Sequence, residues 1–211
     1  MGEANPSVCI IDDDAEFRDS VARLLRSVGL DLREFSSVAE FLKAAPPDGP
    51  TCLVLDVRMP GRSGLELQRD LAATHQQVPI IFMTAHGDIP MSVQAMKGGA
   101  IEFLTKPFRD QDLLDAVEAG LARDRARRDS DKALAALRER FESLSARERE
   151  VMIQVTAGRL NKQIAGDIGI TESTVKVHRT NMMRKMKARS LPELSRMADM
   201  LELTSVRPQG S

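Results

Sequence analysis

The chain has 211 residues, 42% apolar and 29% charged, a balance that suits globular domains and excludes a disordered polymer; its length accommodates two separate cores. No apolar run approaches a membrane span, and the opening MGEANPS lacks the basic patch and apolar core of an export signal, so a cytoplasmic location without membrane association is expected. The net charge of −1 hides an asymmetry: residues 1–120 carry 11 Lys+Arg against 19 Asp+Glu, and residues 121–211 carry 19 against 12. An acidic half suited to cations thus precedes a basic half suited to a polyanion, although part of the basic excess falls in a linker. Cys9 and Cys52 lie inside predicted strands and read as buried free thiols rather than a disulfide, metal or redox pair.

In chain order, strand and helix patterns alternate. Val8 to Ile11 is an apolar run ending in Asp12, Asp13 and Asp14, followed by Phe17, Val21, Leu24, Leu25 and Val28 at helical spacing and closed by Gly29. Leu30 to Phe35 reads as a second strand, Val38 to Ala44 as a short helix, and Thr51 to Leu55 as a strand with Asp56 at its tip. Leu65 to Ala73 gives the next helix. Val78 to Met83, tipped by Thr84, leads to a helix with Pro90 in its first turn, and Ile101 to Leu104 runs into Thr105, Lys106 and Pro107 before a helix opening at Asp110. Five strand-helix repeats imply a parallel, doubly wound sheet with right-handed crossovers, ending near residue 122.

Residues 123–143 are highly charged and read as a helical linker. Leu114, Val117 and Leu121 share one face, whereas Leu134, Leu137, Phe141 and Leu144 form a second stripe slightly out of phase, so a signalling helix and a solvated spacer both remain open. Beyond it, Ser145 and Glu148 make a capping box, Asn161 to Ile168 is a helix turned by Gly169, Thr171 caps a basic helix with Val175, His178, Met182 and Met186 on its apolar side, and Leu191 to Leu203 is a fourth helix. A short helix, a Gly turn and a basic helix is a helix-turn-helix pattern. Residues 204–211 read as a loose tail.

In a doubly wound sheet, Asp12, Asp13 and Asp56 would gather three carboxylates at one sheet edge, where ligands bind. Like charges so close need a cation, and an all-oxygen site favours Mg2+ over Ca2+. With Lys106 and Thr84 alongside, these are the parts that stabilise a phosphoryl group at Asp56. Taken alone, Asp56 could equally be a nucleophile, a metal ligand or a helix cap; Asp14 reads as a cap for the first helix and His86 as a loop residue that could tune the lifetime of the phosphoryl group.

IIDDD, LVLDVRMPGRSG, MTAHGD and FLTKPF resemble the receiver domain of two-component response regulators over residues 8 to about 122. The resemblance implies Asp56 as phosphoacceptor, Asp12 and Asp13 with Asp56 and the Arg58 main-chain carbonyl as Mg2+ ligands, and Lys106 and Thr84 as phosphoryl partners. It further implies Phe103 as a switching aromatic and a cis bond between Lys106 and Pro107. A haloacid-dehalogenase-type phosphatase would use Asp12, Asp14, Thr84 and Lys106 in a similar order, but Ala15 and Glu16 break its pattern, no cap insertion exists, and Asp56 would have no role.

Residues 144–203 hold 11 Lys+Arg against 7 Asp+Glu. Lys176, Thr180 and Lys187, bordered by Arg179 and Arg184, lie opposite the apolar face of the basic helix and could neutralise phosphates and reach base edges, the alternative being a solvated face. SLSAREREVM and NKQIAGDIGITESTVKVHRTNMMRKM resemble LuxR/NarL-type domains, and the whole chain resembles the NarL/FixJ regulators, on the FixJ side through TAHGDIPMSVQAMKGGA. By that resemblance Lys176, Val177 and Thr180 face bases, while Asn161, Lys162, Thr171, Ser173, Thr174, His178 and Arg179 contact phosphates or buttress the helix. Thr180 stands where some relatives have a basic residue.

The implied architecture is an α/β receiver domain with a five-stranded parallel, flavodoxin-like sheet (1–122), a helical linker (123–143) and an all-α four-helix helix-turn-helix domain (144–203). The implied function is not enzymatic: a transcriptional regulator, activator in direction, phosphorylated on Asp56 by a sensor histidine kinase, homodimeric when phosphorylated, and bound to double-stranded promoter DNA, with RNA polymerase a further candidate partner. The alternative is a receiver that acts chiefly as a protein-interaction switch, with DNA binding independent of phosphorylation.

Overall fold

The computed structural model describes residues 5–85 and 87–203, so His86 and the tail beyond residue 203 lie outside the described residues. They divide into two compact units, one extending to Arg128 and one beginning at Asp129.

In the first unit, β1 (Ser7–Ile11), β2 (Asp31–Phe35), β3 (Thr51–Asp56), β4 (Ile80–Thr84) and β5 (Glu102–Thr105) form one parallel sheet in the order β2-β1-β3-β4-β5. The helices are α1 (Ala15–Ser27), α2 (Val38–Lys43), α3 (Gly64–Ala73), α4 (Ile89–Lys97) and α5 (Asp110–Glu142). Successive strand residues serve opposite faces. Val8 and Ile10, Cys52 and Val54, and Ile81 and Met83 pack with Val21, Ala22 and Leu25 of α1 and Leu113, Val117 and Leu121 of α5. Cys9 and Ile11, Leu53 and Leu55, and Ile80 and Phe82 pack with Val38 of α2, Leu67 and Leu71 of α3, and Ala95 of α4. Covering both faces explains why β1, β3 and β4 are apolar without alternation. Each fully buried Val, Leu, Ile, Phe or Met among them contributes roughly 1.5–3 kcal/mol.

β4 starts two residues later than the sequence suggests. Pro79 has no N–H to give the ladder; its carbonyl accepts from Leu53 N at 2.8 Å, and regular pairing begins at Ile80. The sheet's order changes direction between β1 and β3, and in their register Ile11 pairs with Leu55. Asp12 and Asp56 are the next residue on each strand, which brings them side by side at the crevice that open sheets use for ligands.

The second unit contains the end of α5 together with α6 (Ala146–Thr156), α7 (Asn161–Ile168), α8 (Glu172–Met186) and α9 (Leu191–Met200). Its core joins Leu137 and Leu144 to Val151, Met152, Ile164, Val175, Met182, Met186, Leu194 and Ala198, with Phe141 packed against it. The two stripes of the charged segment therefore serve two different cores, Val117 and Leu121 in the first unit and Leu137 and Leu144 in the second. That is the physical reason for their phase difference. α9 ends at Met200 rather than 203, where Glu202 takes a left-handed φ of 57° that no helix continues.

Residues 123–128, read from sequence as linker, remain with the first unit. Asp124 of α5, 1% exposed, accepts the Thr51 N–H at 2.9 Å and is held by Arg127 and Arg128, while Arg128 Nη1 donates to the Asp48 carbonyl at 2.9 Å. A charged run conceals this anchor, because sequence alone does not separate one buried Asp from its solvated neighbours.

Candidate functional site

Asp14 caps α1, its carboxylate accepting the Phe17 N–H at 3.1 Å, and this turns the chain immediately after β1. Asp12, 1% exposed, accepts the Asp14 N–H at 2.9 Å on one carboxylate oxygen and the Lys106 ammonium at 2.7 Å on the other. Arg18 of α1 donates to the Asp12 carbonyl at 2.6 Å. Asp56, 7% exposed, lies 3.4 Å from Lys106 Nζ and accepts the Arg58 N–H at 3.2 Å. Lys106 is carried by the segment after β5, where its N–H donates to the Thr84 carbonyl at 2.8 Å and its bond to Pro107 is cis, as the resemblance implied. Thr84 is buried at the tip of β4.

One ammonium therefore bridges two carboxylates from neighbouring strands. Burial pushes the Asp56 carboxyl above its ordinary value and Asp12 adds to the effect, while Lys106 and the Arg58 N–H oppose it. A close backbone approach completes the pocket: a Cβ on Gly64, the first residue of α3, would come within 2.4 Å of the Asp56 carbonyl oxygen. Only glycine fits there.

The expected cluster of three carboxylates is not what the structure brings together. Among the described residues no group of three or more His, Cys, Asp or Glu is arranged to hold a metal ion, and Asp13 is exposed. Lys106 supplies a positive charge between Asp12 and Asp56 that offsets part of their repulsion, the rest of which persists in the raised Asp56 carboxyl. The donor set still fits Mg2+, an ion commonly held by one or two carboxylates together with phosphate oxygens and waters. Asp12 and Asp56 both meet the Lys106 nitrogen, at 2.7 and 3.4 Å. Of Arg58, the contact seen is its N–H to Asp56.

Phe103 on β5 is half-buried, 6.3 Å from Phe82 between ring centroids and tilted at 46°. Two site neighbours escaped the sequence reading: Arg18, and Phe17, whose ring centroid lies 3.7 Å from Lys106 Nζ. Phe17 was visible only as one apolar position of α1. Its place three residues after a capping Asp was the available signal.

In the second unit, Gly169 ends α7 in the left-handed region at φ 69°, a turn that suits glycine, and Thr171 caps α8 by accepting the Thr174 N–H at 3.2 Å. Val175, Met182 and Met186 are buried, leaving Lys176, Val177, Thr180, Arg184 and Lys187 exposed on α8 and its cap. Lys162, Thr171 and Ser173 are exposed, whereas Asn161, Thr174, His178 and Arg179 are half-buried. Arg179 donates to Asn161 Oδ1 at 3.1 Å, tying α8 to the start of α7. Thr180 donates its hydroxyl to the Lys176 carbonyl at 3.0 Å, and Lys176 lies 3.4 Å from Glu172. Opposite this face, buried Glu148 pairs with Lys185 at 2.6 Å and accepts the Ser145 N–H at 2.8 Å. The capping box was legible from sequence; its Lys185 partner, 37 residues away, was not.

A parallel sheet with an acid-lysine site at its switch point, and a separate helix-turn-helix with a basic exposed helix, define the class of DNA-binding signalling proteins built on a receiver. Residues 8–118 match the response regulator receiver domain and residues 142–198 match the luxR family of bacterial regulatory proteins. The chain is 52% identical to nodulation protein W of Bradyrhizobium diazoefficiens over 94% of this chain and 87% of that one. It is 48% identical to the transcriptional regulatory protein FixJ of Azorhizobium caulinodans over 94% and 93% of the two chains. The solved structure of the response regulator StyR is 49% identical, with a TM-score of 0.84 covering 93% of this chain and 99% of that one. The chain belongs to the two-component response regulators that join a receiver to a luxR-type DNA-binding domain. That family consists of transcription regulators rather than enzymes, so the phosphatase alternative falls away. Its receiver implies a histidine kinase partner and its second domain implies DNA binding. Among the described residues no helix is long and apolar enough to cross a membrane.

Proposed function

We propose that Asp56 is the phosphoacceptor of a cytoplasmic transcriptional activator whose DNA binding rises on phosphorylation. The observation that carries this reading is the placement of Asp56 at the end of β3, at the sheet's switch point and 3.4 Å from the Lys106 ammonium. An Asp56 carboxylate oxygen attacks the phosphorus of a phosphohistidine on the sensor kinase. A P–O bond forms, the P–N bond breaks, and the imidazole leaves with the electron pair. Lys106 compensates the charge gathering on the phosphoryl oxygens, and Thr84 donates its hydroxyl to one of them. Asp12 and Asp56, with the Arg58 carbonyl and with Asp13 at the rim, would hold Mg2+, which when bound neutralises phosphoryl charge.

Once modified, Asp56 carries more negative charge and new acceptor oxygens. Thr84 is drawn inward, and Phe103 follows into the space beside it. The face formed by α4 and β5 changes shape and pairs two receivers. In this reading the helical segment 123–143, anchored at Asp124 in the first unit and at Leu137 in the second, joins a receiver of residues 1–122 to a DNA-binding domain of residues 144–203. The paired chains place two copies of α8 in major grooves about one turn apart, roughly 34 Å. Lys176, Val177 and Thr180 meet base edges. Asn161, Lys162, Thr171, Ser173, Thr174, His178, Arg179, Arg184 and Lys187 contact phosphates or brace the helix, and RNA polymerase is recruited beside the bound dimer.

The test is oligomer mass and DNA affinity, with and without Mg2+ and beryllofluoride, for the wild type and Asp56→Ala. A Mg2+-dependent shift to dimer with tighter specific binding, absent from Asp56→Ala, is the expected result. Identical binding under all conditions would overturn it in favour of an interaction switch whose DNA binding ignores phosphorylation.

A further inference from the structure

Lys106 is held by more than carboxylates. Its ammonium lies 3.7 Å from the centroid of the Phe17 ring, while Asp12 and Asp56 meet it at 2.7 and 3.4 Å. The Phe17 ring is itself braced by Phe108, with centroids 6.0 Å apart and ring planes at 90°. Both rings are half-buried and pack against the core shared by α1 and α5. Phe17 is also fixed from its backbone, because its N–H is the one that Asp14 caps, at 3.1 Å. Phe108 lies two residues beyond Lys106. The aromatic pair therefore joins the start of α1 to the segment that carries the lysine.

A lysine side chain is a long, flexible stem with a strongly hydrated head, and left to itself it samples many positions. The face of an aromatic ring attracts a cation, most strongly where water is partly excluded. Here Lys106 is 16% exposed in its side chain. We propose that Phe17, braced by Phe108, is a positioning residue for Lys106, holding the ammonium beside Asp56 and thereby setting the rate at which Asp56 accepts a phosphoryl group. The inference rests on Asp56 being the acceptor. An apolar residue of similar bulk would fill the same space without attracting the charge, so ring chemistry and not volume is what matters.

The test uses the full chain with Mg2+ and acetyl phosphate, from which a carboxylate oxygen of Asp56 takes the phosphoryl group while acetate leaves with the electron pair of the broken P–O bond. Phosphorylation rates are compared for the wild type, Phe17→Leu, Phe17→Tyr, Lys106→Met and the Phe17→Leu/Lys106→Met double variant. Phe17→Leu is expected to slow the reaction roughly 5-fold, with Phe17→Tyr within roughly twofold of the wild type. In the Lys106→Met background, Phe17→Leu should cause no further loss, because its effect passes through the lysine. A Phe17→Leu rate equal to the wild type, or an equal fractional loss in both backgrounds, would overturn the inference. A wild type that takes up no phosphoryl group would instead overturn the acceptor reading itself. Should Phe17→Leu fail to fold, wild-type NMR decides: the Lys106 ε-methylene protons should be shifted upfield by the ring current, and unshifted resonances would refute the contact.

Discussion

The Asp124 carboxylate of α5 accepts the backbone N–H of Thr51, the first residue of β3, at 2.9 Å, across 73 positions of sequence. Burial alone would raise the Asp124 carboxyl, but the bonds from Arg127, Arg128 and the Thr51 N–H outweigh it and hold the group below the usual carboxylate range. A folded-state value below the unfolded one means stability that is fully present above the unfolded pKa, near 3.9 for an ordinary Asp, and lost as the pH falls through the depressed value. Asp124→Ala should cost about 3 kcal/mol at pH 7, because it strands two arginines and a buried N–H. Urea unfolding should show the gap from wild type narrowing below about pH 4.

Asp56 has the opposite sign. Burial first, then Asp12, raise its carboxyl, so in the folded state ionisation costs stability at pH values above the raised pKa, and the cost vanishes below the ordinary value of about 3.9. Asp56→Asn in a chelating buffer should melt a few degrees above the wild type at pH 7, with no gain below about pH 4, and should accept no phosphoryl group. Thermal melts at the two pH values check the sign.

The Lys106 ammonium neutralises the Asp12 carboxylate, which is 1% exposed, at 2.7 Å. Lys106→Met should lower stability by roughly 3 kcal/mol without Mg2+, since a buried charge is left uncompensated. Adding Mg2+ should recover about 2.7 kcal/mol at a hundredfold excess over its Kd. Calorimetry with and without the ion, and on Asp12→Ala as a control that gains nothing, measures both effects.

Cys9 and Cys52 are buried free thiols. Burial pushes Cys9 up to about 11 against a small opposing effect of Arg33, and pushes Cys52 higher still, with Asp124 and Cys9 adding to it. The thiolate is the reactive form, so neither residue should react with iodoacetamide at pH 8 until the first unit opens. Labelling in rising urea should follow the unfolding curve of that unit.

Lys176 and Glu172 are both exposed and 3.4 Å apart, a pairing worth little in water. Lys176 is therefore available to DNA at small cost. Lys176→Ala should weaken binding, and if the contact is to phosphate the salt slope of log K should fall by about 1. A loss confined to one operator sequence with an unchanged slope would identify a base contact instead. Titrations at three salt concentrations on specific and random DNA separate the two.

Much of the fold was legible because burial on both sheet faces demands apolar runs, and turns demand Gly, Pro and Asp. Val8 to Ile11, Thr51 to Leu55, the Asp14, Ser145 and Thr171 caps and the Gly169 turn all carry such local signatures. Asp56 and Lys106 stood out in the sequence because one ends a strand and the other follows one, each within a recognisable motif. What the tertiary structure alone decided were pairings over long separations. The sequence set Lys106 only beside a phosphoryl group, and packing placed it between Asp12 and Asp56 and over Phe17. Asp124 and Glu148 sit in charged runs whose local pattern is that of solvated surface, yet each is buried against a distant partner, Asp124 on the Thr51 N–H with Arg127 and Arg128 of its own helix beside it, and Glu148 on Lys185. A one-dimensional pattern records which residues prefer water on average. Which individual charge leaves it depends on a partner that only the folded chain supplies.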